Sequence, residues 1–316
     1  MSRAGQLVDD YSVRPLAIAF DFPEDQIRLL LVWLSMLPVG WFLHFCVRGA
    51  KLRHAVNLTV GMLGMTYFYG FAVLHVFAMS GVSYLIMLLA PRDSQQKYVT
   101  AFVFAHLSLS HVSTAIYHFD SYDLEITTNT MLLTLRMQAM AWSYYDGGLK
   151  RDALTERQVR MKIDQLPNLV EFLSYTFYCQ QYALGVFFEY RDFISWIEER
   201  DEYRHVPSPV LESLKYAAYS VACIGIYSVG GSYFPIEHCY TDEFAASSMA
   251  YKIVFASLAG MFNRFFYYTA FLFQTGTAIA SGLGYNGRKE IGATDAVDPK
   301  NPDKKGEHQW DKIVGV

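Results

Sequence analysis

The sequence predicts an all-α, polytopic membrane protein, and three observations carry that prediction. Hydrophobic residues make up 53% of the 316 positions and aromatics 16%, while charged residues reach only 18%. Soluble domains run nearer 45–50% apolar, with about a quarter charged. The charges are also unevenly placed. Long apolar runs alternate with short charged loops, as in helical membrane proteins rather than soluble domains with an oily core. The mean hydropathy is a modest +0.15, so some helices should be amphipathic or re-entrant. A net charge of −4 argues against a nucleic-acid partner. Cys46, Cys179, Cys223 and Cys239 are scattered, without disulfide or metal spacing. Asp9, Asp10, Asp21, Glu24 and Asp25 make the start acidic, unlike the basic start of a signal peptide.

Leu29 to Val47 is the first clear span. Arg48, Lys51, Arg53 and His54 follow it, so the positive-inside rule puts the 48–54 loop in the cytosol and the N-terminus in the lumen. Residues 55–90 are apolar throughout, too long for one span and short for two with a turn. Gly70, Ser80 and Gly81 offer places to fold back, which predicts two short or partly re-entrant helices. Asn57-Leu-Thr59 matches a glycosylation sequon. It abuts the basic loop and is expected to be unmodified. Val99–Tyr117 and Thr127–Tyr145 are the next spans. Asp120, Asp123 and Glu125 lie between them, and Lys150, Arg151, Arg157, Arg160 and Lys162 follow the second. The first loop is therefore expected in the lumen and the second in the cytosol.

Leu166 to Glu199 is only half apolar and carries Glu171, Glu189, Arg191 and Asp192. Pro167 suits a helix start. The flanking charge pattern is satisfied only if this segment enters and returns, or lies in the interface. Glu212 to Gly230 then crosses outward. Tyr251 to Tyr285 crosses back as a nearly continuous apolar and aromatic run. It would make roughly 50 Å of helix against a hydrocarbon core of about 30 Å, so a tilted, kinked or broken helix is expected. The predicted organisation is a lumenal segment (1–27), a multi-helix membrane domain (28–286) and a polar cytosolic loop (287–316).

Intramembrane polar groups are the first candidates for chemistry. Arg136 lies mid-span, and Asn263 and Arg264 sit in the middle of the long apolar run. A guanidinium facing lipid is expensive, so each arginine is expected to point into protein or a wet cavity. Arg136 has two open readings: a structural counter-ion held by buried acceptors, or a holder of an anionic ligand group. Gly282-x-Gly284-x-x-Gly287 matches the dinucleotide fingerprint in letters. That fingerprint needs a strand before it and a helix after it. Here a membrane helix precedes it, so it reads as a glycine-rich helix exit. His106, His111 and His118 are spaced by five and seven and do not share a helical face. No metal site is expected, and no nucleophile–base pattern is evident.

Three blocks give the chain a family resemblance. The first runs from Tyr122-Asp123 through LLTLRMQAMAWSYYDGG to Gly148. The second is LPNLVEFLSYTFYCQQYALGVFFEYRDF, from Leu166 to Phe193. The third is SGLGYNG, from Ser281 to Gly287, followed after a loop by Gln309-Trp310-Asp311. In these blocks, in order over roughly residues 25–316, the chain resembles the membrane-bound O-acyltransferases. It is most similar to their lysophospholipid group, the lysophosphatidylcholine branch in particular. Gly185-Val186 stands where the family often has Gly-Pro, and the loop between Gly287 and Trp310 looks longer than usual.

The resemblance implies acyl transfer from acyl-CoA to a lysophospholipid hydroxyl in the endoplasmic reticulum membrane. Its partners would be membrane lipid and acyl-CoA, the latter as substrate, with no cofactor and no nucleic acid; it also allows a homodimer. The family's catalytic Asn and His, the His as general base, lie C-terminal to the Trp-Asp pair. The expectation is thus that these residues form the N-terminal portion of the fold, with no catalytic residue of their own. On that basis Arg136, Asn263, Arg264, Tyr285, Asn286, Trp310 and Asp311 are the substrate-tunnel candidates. The alternatives are an inactive short isoform acting as a regulatory membrane partner, and a small polytopic transporter.

Overall fold

A computed structural model of the chain describes residues 9–20, 24–117, 126–181, 185–288 and 308–313. His118 and the Tyr122-Asp123 pair lie outside the described residues. Within them the protein is helical, and the only bridge of β type pairs Arg288 with His308. In chain order the helices are α1 (Arg14–Phe20), α2 (Glu24–Cys46), α3 (Ala50–Tyr69), α4 (Val73–Leu89), α5 (Gln95–Tyr117) and α6 (Ile126–Asp146). There follow α7 (Glu156–Met161), α8 (Leu169–Thr176), α9 (Tyr190–Ile197), α10 (Val210–Tyr233), α11 (Asp242–Ala246) and α12 (Met249–Ala280).

Among the described residues, three helical stretches are long and apolar enough to cross a membrane: Ile27–Cys46, Ala50–Leu89 and Gln95–Ile116. Helices α6, α10 and α12 have the length for it, at 21, 24 and 32 residues, but are interrupted by polar residues such as Arg136, Asn263 and Arg264. The distribution of polarity fits a lipid solvent. Leu85, Leu88, Leu89, Leu109, Ile116, Val221, Val229 and Ile253 are exposed, while Asn57, Asn129, Thr134, Gln181 and Gln274 are buried. In a bilayer, backbone and polar side chains must find partners within the protein.

The two helices expected in 55–90 are present, with helix starting earlier, at Ala50. Gly70 ends α3 with φ 56° and ψ −129°, a conformation that glycine tolerates far better than an L side chain. The chain turns sharply there, so that Gly61 and Phe77 both reach Phe177. Ser80 and Gly81 lie inside α4 and make no turn. At the N-terminus, buried Asp9 pairs with Arg28 at 2.7 Å and accepts from Tyr67 at 2.9 Å.

Helices α10 and α12 form an antiparallel pair. Ser213 lies beside Gly276, Ser220 donates to the Thr269 carbonyl at 2.7 Å, and Phe234 stacks on Phe262. Helix α2 lies along α12 in the parallel sense, with Trp33 stacked on Phe273 and Gly40 close against Ala280. The long apolar run was expected to be tilted, kinked or broken. It forms one unbroken helix over Met249–Ala280.

Among the described residues of 166–199 no helix is long enough to cross a membrane. These residues form α8 and α9, eight residues each, or about 12 Å apiece, with residues 177–181 and 185–189 outside any helix. Helix α8 opens on a capping box: Asn168 accepts from the Glu171 N–H, and Glu171 accepts from the Asn168 N–H. Pro167 therefore stands just before the N-cap rather than at the first helical position.

Candidate functional site

Buried backbone outside helices and at their ends needs protein groups to take up its hydrogen bonds. Polar side chains from α3 and α6 do so over the last turn of α8 and the residues after it. Asn57 donates to the Ser174 carbonyl at 2.7 Å and to its hydroxyl at 3.0 Å, and accepts from the Cys179 N–H at 3.0 Å. Asn129 donates to the Gln181 carbonyl at 3.0 Å. Arg136 is fully buried; its guanidinium donates to the Tyr175 carbonyl and to the Gln181 side-chain carbonyl. It lies between two rings, 4.1 Å from the Tyr175 centroid and 4.3 Å from that of Phe188. Of the two readings for Arg136, the geometry supplies protein acceptors. Asn57, read from sequence as a sequon, is wholly buried and engaged.

The aromatic cluster around Arg136 leads to the glycine-rich turn. Tyr175 packs on Phe193, which packs on Tyr178 and Trp196. The Tyr178 hydroxyl lies 2.7 Å from the Ser281 hydroxyl, Trp196 Nε1 donates to the Ser281 carbonyl at 2.9 Å, and the Tyr203 hydroxyl donates to the Leu283 carbonyl at 3.0 Å. Burial raises the Tyr203 phenol well above its ordinary pKa, and Asp192 and Glu202 add to the rise, so it serves as a donor. The Ser281–Gly287 segment is the exit of α12, as its glycines suggested. Gly282 stands at φ 89°, and a Cβ there would lie 3.2 Å from His44 Nδ1 and in ordinary contact with Val206 and Trp196, so it is the backbone conformation that calls for glycine.

Residues 308–313 clip onto this exit. The Asn286 N–H donates to the Gln309 carbonyl and the Gln309 N–H to the Gly287 carbonyl, both at 2.9 Å. Asn286 Nδ2 donates to Asp311 at 2.9 Å, and the Tyr285 hydroxyl meets His308 Nδ1 at 2.9 Å. Burial, with Arg288 nearby, lowers the His308 pKa, which favours an acceptor Nδ1. The rings of Tyr285 and Trp310 lie 5.1 Å apart. Lys312 reaches Asp192 at 3.1 Å and also Glu202, tying the clip to α9.

Four sequence-predicted residues thus come together: Tyr285, Asn286, Trp310 and Asp311. Arg136 reaches the exit through two rings, Phe188 and then Tyr178, whose hydroxyl meets Ser281. Asn263 and Arg264 do not join them, since they lie 17–18 residues before Ser281 on α12, or roughly 26 Å along the helix. Asn263 lines a separate cavity with Tyr227, Ser228 and Glu237. The inward orientation expected for Arg264 is not found. It is exposed, and it has no acceptor among the described residues. Helix α12 is so uniformly apolar that its sequence does not mark which face is inside, and the face that packs carries Phe255, Ala259, Thr269 and Phe273.

A polar cavity beside Gly282 was not foreseen. His44, Arg48, Arg53, Trp196, Glu199, Tyr203, Arg204, His205 and Val206 line it. The basic 48–54 loop read only as a topology feature, and the charged residues 198–205 drew no reading from sequence.

The profile described as MBOAT, membrane-bound O-acyltransferase family, matches residues 113–313. The chain belongs to the membrane-bound O-acyltransferase family. That stretch contains the α8–α9 segment, the glycine-rich exit and the clip. Among relatives, the chain is 26% identical to lysophospholipid acyltransferase 6 of Drosophila melanogaster over 92% of its own length and 42% of that protein's. It is 26% identical to membrane-bound glycerophospholipid O-acyltransferase 2 of Mus musculus, over 96% and 60% respectively. With the lysophospholipid acyltransferase of Saccharomyces cerevisiae it shares 28% identity, over 72% and 41%. The chain spans about half the length of the curated relatives it matches.

Proposed function

We propose that this chain forms a substrate-binding wall of an acyl-CoA:lysophospholipid O-acyltransferase. The acceptor would be lysophosphatidylcholine and the location the endoplasmic reticulum membrane, crossed several times. The observation that carries this reading is the convergence of Tyr285, Asn286, Trp310 and Asp311 into one clipped unit, inside the matched region. The names of the relatives support the substrate class. Residues 48–54, 147–165 and 288–316 would face the cytosol and 118–126 and 232–243 the lumen, as the loop charges suggest. Acyl-CoA would be a substrate and no cofactor would be needed.

Equilibrium binding of radiolabelled palmitoyl-CoA and lysophosphatidylcholine to the protein in nanodiscs tests the reading. Saturable binding of both is expected. Uptake of each ligand no greater than by empty nanodiscs would refute it.

A further inference from the structure

The cavity beside Gly282 has the chemistry of an anion site. Three guanidinium groups, from Arg48, Arg53 and Arg204, line it together with His44 and His205. One carboxylate answers them: Glu199 lies 3.3 Å from Arg48 and 3.2 Å from Arg53. Arg53 is 5% exposed, and its Nε donates to nothing among the described residues. Its Cζ lies over the Trp196 ring, 4.5 Å from the centroid, and the same indole donates to Ser281. Arg204 has no acceptor among the described residues. An arginine fork of this kind suits phosphate oxygens, which accept two parallel bonds.

Glu199 is the residue just past the C-cap of α9, at φ 53°, a left-handed conformation common at helix ends. That helix ending places its carboxylate between two arginines, in a cavity where positive charge exceeds it.

We infer that this cavity binds a phosphoryl group, with the Glu199 carboxylate as the resident anion that the phosphoryl group displaces. The inference rests on the acyltransferase reading for its occupant. Both substrates there carry phosphate, acyl-CoA in its nucleotide diphosphate and the lysophospholipid in its headgroup. The site adjoins the glycine-rich exit through His44, Val206 and Trp196, so a phosphoryl group held there would bring the rest of its molecule to that turn.

The test measures binding to the protein in phosphatidylcholine nanodiscs. The probes are inorganic pyrophosphate; palmitoyl-CoA against phosphate-free palmitoyl-pantetheine; and lysophosphatidylcholine against monoacylglycerol. Arg48 and Arg204 are exposed, so the double variant R48Q/R204Q should fold. It should weaken pyrophosphate binding at least tenfold. Glu199→Gln should tighten it several-fold, and Arg157→Gln, away from the cavity, should leave it unchanged. The occupant is the substrate whose affinity falls in R48Q/R204Q while its phosphate-free partner is unaffected. If pyrophosphate responds and neither substrate binds, the site stands and the acyltransferase reading fails; if pyrophosphate responds while both substrates bind and ignore R48Q/R204Q, the reading stands and the substrates are ruled out as the occupant. If the substrates bind but every ligand ignores R48Q/R204Q, or if no phosphorylated probe binds, the site is overturned. Weaker rather than tighter binding by Glu199→Gln would overturn the displacement.

Discussion

Arg136 lies over the Tyr175 ring, 4.1 Å from its centroid, and donates to the main-chain carbonyl of the same residue. A helix in the middle of the bundle thereby holds the end of the short helix α8 in place. Arg136→Gln should leave that buried carbonyl without its donor, at a cost of about 1–3 kcal/mol. Arg136→Lys keeps the charge but loses the fork and should fall between. Thermal unfolding of detergent-purified variants measures this. Equal melting temperatures for Arg136→Gln and wild type would show that the guanidinium does not brace the segment.

Asn57 makes the corresponding brace from α3, using its amide as both donor and acceptor. Asn57→Asp preserves the shape but removes the donor, leaving the Ser174 carbonyl facing a carboxylate. Stability should fall by at least about 1–3 kcal/mol, and hydrogen exchange should speed up across 174–181. Exchange unchanged in that segment would contradict the role.

Close packing of α3 on the same segment predicts a contrast between two glycines. A Cβ at Gly61 would collide with the Phe177 carbonyl, whereas a Cβ at Gly81 meets nothing within 4 Å. Gly61→Ala should sharply reduce the yield of folded protein, since backbone there has nowhere to move. Gly81→Ala should be neutral or stabilising by up to about 1 kcal/mol. Similar yields of the two variants in size-exclusion profiles would count against the packing described.

The glycine-rich exit depends on aromatic donors. Trp196→Phe keeps an aromatic ring but leaves the Ser281 carbonyl without its indole donor, which should cost about 1–3 kcal/mol. It should also weaken the platform under Arg53. Thermal unfolding, read alongside proteolysis between Ser281 and Gly287, checks this. A variant as stable and as protease-resistant as wild type would remove the exit's proposed anchor.

Much of this architecture is legible in the sequence because lipid imposes strong rules. Span lengths located α2, α5 and α6, and the half-apolar composition of 166–199 set it apart from the long helices; it forms the short α8 and α9. Gly282 and Gly284 marked the helix exit. The sequence was silent where the answer depends on a partner far along the chain. Asn57 looks like a sequon until Ser174 and Cys179 stand beside it. Arg136 could be structural or functional until the carbonyls that meet it are located. Arg264 faces outward because α12, apolar nearly all round, packs by its Phe255 and Phe273 face. The cavity beside Gly282 joins residues from near 44–53 with residues near 196–206, and no local pattern connects them.

The central claim is that the glycine-rich exit and the α8–α9 segment meet the substrates. Photolabelling tests it most directly. A lysophosphatidylcholine bearing a diazirine on its acyl chain would be irradiated with the protein in nanodiscs, and the labelled peptides mapped by mass spectrometry. The account predicts label within 172–197 or 273–288 that unlabelled lysophosphatidylcholine competes away. Label confined to the outward faces of α4, α5 and α10, and insensitive to competition, would contradict it.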